Sequence, residues 1–139
     1  MTDLAFPKVT GRSTRQRKRQ RDDDAAAFRA KVWVRDDGKD RATGQILRLP
    51  SRALHLDECG EVCHFKGRRV RPEWRTDPRR AVLLSSRNHI LSDHRGGNLL
   101  KMTDPETGEP ATDAGLDKPR LIRFTLYDRQ GNVKWTRIG

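Results

Sequence analysis

The 139-residue chain carries a small set of side chains whose types and spacing suit metal-assisted proton chemistry. Cys63 and His64 are adjacent, and His89 is followed four residues later by Asp93. On a helix, residues i and i+4 face one direction, so His89 and Asp93 can jointly hold a divalent ion while Cys63 approaches from a strand. A thiolate in that donor set is a poor match for Mg²⁺ and a better one for Zn²⁺, Ni²⁺ or Mn²⁺. Two other groupings compete. His94 could replace Asp93, although i+5 turns it to another face. Cys59 and Cys63 with His55 and His64 could form a small zinc site, against which the irregular C-x₃-C spacing and crowding on one strand both count. A lone histidine near a strand end is more often structural; here His64, His89 and His94 flank one basic loop.

The elements needed to position these groups can be read around them. Leu47/Leu49 and Leu54/Leu56 alternate as half-buried strands do, and Cys63-His64 closes the second of these segments. Lys66 to Arg80 carries seven basic residues, Lys66, Arg68, Arg69, Arg71, Arg75, Arg79 and Arg80, against Glu73 and Asp77. Pro72 and Pro78 keep this cationic loop irregular. Ala81-Val-Leu-Leu84 reads as a buried strand, and Ser85 or Ser86 can cap a helix running to about His94, stopped at Arg95-Gly96-Gly97. Upstream, Asp22, Asp23 and Asp24 are placed to start a helix to about Arg35, with Ala25, Phe28 and Val32 as its apolar stripe and Asp36-Asp37-Gly38 as its end. Residues 103–119 are a loop by composition and are expected to be mobile. Residues 120–138 form a hairpin with Ile122, Phe124 and Leu126 on one face and Gly131 in the turn.

Charge points to the partner. Thirty Lys and Arg against 19 Asp and Glu give +11 and a pI near 10.6, a field that attracts phosphate polyanions. Residues 1–21 read as a disordered basic arm, with six basic residues from Arg12 to Arg21, among them Arg17, Lys18 and Arg19, as nucleic-acid contacts. Of the three tryptophans only Trp74 lies in the cationic loop, where base stacking competes with a loop-anchoring role. At 33% apolar and 35% charged the core must be small. No apolar run approaches a membrane span or a secretion signal, and two cysteines are too few for a disulfide framework, so a reducing, cytoplasmic setting is expected. The phosphate-cradling patterns GxxxxGK[ST] and GxGxxG do not occur, which removes nucleotide-triphosphate and dinucleotide chemistry from consideration.

The order strand, loop, strand, helix, with Cys63-His64 ending the first strand and His89 on the helix, resembles the HNH nuclease family and its ββα-metal fold. The resemblance spans about residues 24 to 137, including FRAKVWVRDDGKDRATGQ and the terminal GGNLLKM and LIRFTLYDRQGNVKW, but its specific part is 63–94. It implies that His64 is the general base, that Cys63, His89 and Asp93 are metal ligands, and that Arg68, Arg69, Arg71, Arg75, Arg79 and Arg80 contact nucleic acid. Two positions depart from the family. Nine residues before His89, where the family has the asparagine that orients the base, stands Arg80, which has no acceptor. Either a backbone carbonyl orients His64 or the site is damaged. Asp40 to Thr43 and Ser85 to Asn88 lack the cysteine pairs of zinc-bearing members, so no structural zinc of that kind is expected.

The sequence is thus read as a single α+β domain over residues 22–139, with a ββα-metal core at about 58–95. Its expected activity is metal-dependent cleavage or nicking of DNA with Mg²⁺ or Mn²⁺, Zn²⁺ or Ni²⁺ being further options; RNA is not excluded. The alternative is a catalytically degenerate nucleic-acid-binding protein of the same fold, and a third reading is a zinc-stabilised accessory module. No membrane partner is expected.

Overall fold

The computed structural model describes residues 13–66 and 71–139. They form a mixed α+β fold with two α-helices and two small antiparallel sheets. In chain order the elements are α1 (Thr14–Arg35), β1 (Gly60–His64), β2 (Ala81–Ser85), α2 (Ser86–Ser92), β3 (Leu100–Thr103), β4 (Arg123–Tyr127) and β5 (Val133–Ile138).

Helix α1 starts eight residues before the acidic triplet expected to open it. Its N-cap is Ser13, whose side chain accepts from the Gln16 amide while the Gln16 side chain accepts from the Ser13 amide, a reciprocal pair that fixes the first turn. The basic residues Arg15 to Arg21 are therefore helical and not a disordered arm; residues 1–12 of that arm lie outside the described residues. Only the second half of α1 packs, through Phe28, Val32 and Arg35.

Strands β1 and β2 form a hairpin paired from Gly60 with Ser85 to His64 with Ala81. Every residue of β2 is buried because both of its faces are covered. Ala81 and Leu83 pack with Phe28, Val32 and Leu47 beneath α1. Val82 and Leu84 point the other way, into a core with Cys63, Phe65, Ile122, Phe124 and Leu126 against the three-stranded sheet β3-β4-β5. This alternation is the period-2 geometry of a strand used on both sides. Gly60 is required for the first packing: a Cβ there would sit 2.5 Å from the Trp33 ring. Gly131, at φ 87°, makes the turn of the C-terminal hairpin as expected.

The free edge of β2 is closed by two buried carboxylates. Asp36 accepts from the Leu83 amide and from the guanidinium groups of Arg35 and Arg41. Asp40, 1% exposed, accepts from the amides of Ala42, Thr43 and Ser85 and from Asn88 Nδ2, at 2.7–3.1 Å. Arg35 and Arg41 also reach across to the carbonyls of Gly115, Ala114, Arg120 and Gly139. The segment 103–119, expected to be mobile, is therefore irregular but fixed, with Ala111 and Ala114 buried. Among the described residues no helix is long and apolar enough to cross a membrane.

Candidate functional site

Adjacent residues on β1 point to opposite sides, and this separates Cys63 from His64. Cys63 is buried in the core, its Sγ 3.3 Å from Ser92 Oγ. Burial pushes its thiol up to about 11, with the Ser92 contact opposing and the charges of Asp93, Glu61 and Asp40 reinforcing the rise. A thiol at that value is protonated at neutral pH and is not a ready metal ligand.

His64 faces α1. Its ring stacks on Phe28 with centroids 5.0 Å apart and 22° between the planes. Nε2 lies 3.0 Å from the Arg75 carbonyl oxygen. A carbonyl can only accept, so Nε2 carries the hydrogen in this contact. A backbone carbonyl from the cationic loop thus orients the His64 ring.

Helix α2 packs on the Cys63 face of β1 and brings His89 to the edge of that strand, where both histidines line one cleft. Its N-cap Ser85 accepts from the Asn88 amide, as the sequence suggested, but the helix ends at Ser92, and Asp93 caps the following 3₁₀ turn His94–Gly96. The Asp93 carboxylate is turned to Arg95, with 2.7 Å and 3.0 Å contacts to the guanidinium, whose hydrogen bonding and charge hold it below the usual carboxylate range. His89 instead meets a residue the sequence reading passed over: its Nδ1 is 3.4 Å from Glu61 Oε1. Among the described residues no group of three or more His, Cys, Asp or Glu side chains converges to hold an ion. The trio Cys63, His89 and Asp93 is not brought together; the pair His89 and Glu61 is. Two ligands about 2.1 Å from one tetrahedral ion stand about 3.4 Å apart, so this pair fits a shared cation as well as it fits a hydrogen bond.

His64, His89 and Glu61 line one cleft of about 520 Å³. Helix α1 also lines it, with Arg21, Asp24, Phe28 and Arg29, as does Arg75. No family model, curated protein or solved structure matches the chain.

The remaining basic residues divide. Arg75 is at the cleft. Arg80, the residue in the asparagine position, lies with its guanidinium 4.7 Å from the Trp74 ring centroid and donates to the Thr112 carbonyl, so it clamps the loop to the body and does not face the cleft lining. Arg71 also lies over Trp74, at 5.5 Å. Trp74 is accordingly an anchor packed on the core, the structural alternative to base stacking. Arg79 is tied to Asp77. Arg68 and Arg69 lie outside the described residues, and Arg17, Lys18 and Arg19 are exposed on the first turns of α1. Glu61 and Phe28 were legible only in part: Glu61 stands two residues before Cys63, so alternation puts it on the α2 side, but nothing local marks it as the partner of His89.

Proposed function

We propose that the chain is an HNH-like, metal-dependent endonuclease that hydrolyses or nicks phosphodiester bonds of DNA, with His64 as general base. The observation that carries this reading is the fixed imidazole of His64, held by the Arg75 carbonyl and by stacking on Phe28, in a cleft shared with His89 and Glu61. As general base, His64 would take a proton from water, and the hydroxide so formed attacks phosphorus in line. His89 and Glu61 are the residues that would hold a divalent ion, which when bound supplies charge neutralisation at the nonbridging and leaving oxygens. With the Cys63 thiol withdrawn into the core, the donor set is nitrogen and oxygen, so the reason for disfavouring Mg²⁺ disappears. Arg21, Arg29 and Arg75 border the cleft with positive charge suited to phosphate.

The degenerate reading, a DNA-binding protein without cleavage, is favoured by two specific observations: the asparagine position holds a structural arginine, and two of the three ligand positions are occupied with other partners. One assay separates the readings. Supercoiled plasmid is incubated with Mg²⁺, Mn²⁺, Ni²⁺ or Zn²⁺ and wild-type or His64→Ala protein. The nuclease reading expects metal-dependent nicking that falls about 10²–10⁴-fold in the variant. Retention of plasmid without nicking under every metal would select the binding protein.

A further inference from the structure

The first half of α1 stands clear of the body: residues 14–24 are exposed, and packing begins only at Phe28. A helix of 22 residues is about 33 Å long, so roughly half of that length projects beyond the hydrophobic contacts. Its charge is not spread evenly around the axis. Arg17, Arg21, Phe28 and Val32 follow one another at intervals of four, seven and four, which places them on one stripe. The stripe that is apolar where it packs is therefore basic where it overhangs. Arg21 lines the cleft that contains His64, and Phe28 is the ring on which His64 stacks. Arg15 and Arg19 lie about 120–160° round the helix from this stripe.

We propose that the projecting half of α1 is a preformed rail for the phosphate backbone of duplex DNA, with Arg21 and Arg17 holding successive positions on the strand that leaves the cleft. The axial step between them is about 6 Å. Two arginine side chains at that step can reach phosphates one or two apart on a strand that carries a charge every ~3.4 Å of rise. A duplex is favoured over a single strand by the aromatic side chains. Among the described residues each is buried or partly buried, Phe28 against His64 and Trp74 beneath Arg71 and Arg80, so no ring offers the open stacking platform that single strands use. The reciprocal Ser13 and Gln16 cap keeps the rail helical before any partner arrives. Asp24, whose carboxylate accepts from Gln20 Nε2 at 2.8 Å, is the carboxylate of α1 that lines the cleft and marks where the basic stripe ends.

The proposal rests on the cleft being a nucleic-acid site but not on cleavage, so its test is run in EDTA. Binding of a fluorescein-labelled 20-base-pair duplex is followed by anisotropy between 50 and 200 mM salt for three full-length proteins: wild type, Arg17→Gln/Arg21→Gln, and Arg15→Gln/Arg19→Gln. Both variants lose the same charge from the same helix. The stripe variant is expected to lower the slope of log K against log salt by about 2, and the opposite-face variant by less than about 1. Equal losses would overturn the rail, because charge alone would then account for binding. Equal affinity for a single strand of the same sequence, with the same dependence on Arg17 and Arg21, would overturn the choice of duplex. A failed nicking assay beside an intact stripe effect would remove the nuclease and leave the rail. Circular dichroism at 222 nm confirms that each variant keeps its helix.

Discussion

Two polar clusters lie on either side of β2, and they differ in how deeply their members are buried. Around Asp36 and Asp40 every carboxylate oxygen takes hydrogen bonds from buried donors, and the side chains are almost fully covered. Around His89 and Glu61, whose carboxylate also accepts from Ser86 Oγ, the side chains are 25% and 33% exposed, and a cleft shared with His64 runs along them. A buried, fully paired polar knot is closed to a ligand and acts on stability; a partly exposed one at a cleft can be reached by one. The knot also joins two segments far apart in the chain, Asp40 to Thr43 and Ser85 to Asn88, through one carboxylate with four donors.

The largest test of this contrast is Asp40→Ala. It strands the amides of Ala42, Thr43 and Ser85 and the Asn88 side chain in a buried place, and losing one partner of a buried charged network costs about 3–5 kcal/mol. Against total stabilities of about 5–15 kcal/mol, urea denaturation should show a midpoint shifted far toward zero or a chain largely unfolded at 25 °C. His64→Ala, on the cleft side, should leave the same urea curve within about 1 kcal/mol. A small effect of Asp40→Ala would show that the knot is not what holds α1 and its following turn to β2.

Much of the scaffold was legible and some of its meaning was not. The hairpin β1-β2 and the start of α2 follow from local signals, namely the buried run Ala81–Leu84 and a serine cap. The start of α1 was misplaced because Asp22–Asp24 resembles a helix start, while the cap that acts lies in a charged segment that composition alone assigns to disorder. The fixing of residues 103–119 could not be read locally, since it depends on Arg35 and Arg41, more than 70 residues away, which look like surface charges in the sequence. The adjacency of Cys63 and His64 suggested a joint site, but strand alternation sends the two side chains into different environments. Glu61 shares the Cys63 face of β1, and what brings it to the site is His89, the neighbour supplied by α2, which is a property of packing.

Cys63 supplies a test from within the hairpin. Burial raises its thiol to about 11 in the folded chain, against about 8.5 when unfolded. The folded state thus favours the protonated form, so this contribution is complete below about pH 8.5 and is lost as pH rises through 11. A rise of two units or more corresponds to roughly 3 kcal/mol. Urea midpoints at pH 7, 9 and 10.5 should decline for wild type and decline less for Cys63→Ala, which has nothing to titrate there. Parallel declines would mean that the thiol is reachable by water and would return Cys63 to the cleft as a candidate ligand.

The smallest expected effect is the most exacting for the comparison. Because Asp40 already bridges the two segments through four hydrogen bonds, the fold should not depend on a metal for its cohesion. A thermal melt of protein prepared without added metal should move by less than about 1 °C on adding EDTA, whereas loss of a structural zinc would remove several kcal/mol and shift the midpoint by many degrees. Added Mn²⁺ or Zn²⁺ should then raise the midpoint only through the cleft, by an amount that grows with ion concentration and is abolished by Glu61→Gln/His89→Ala. If EDTA lowered the melt of the Glu61→Gln/His89→Ala protein as well, an ion would be acting outside the cleft, and the division between a self-sufficient knot and a ligand-accepting cleft would fail.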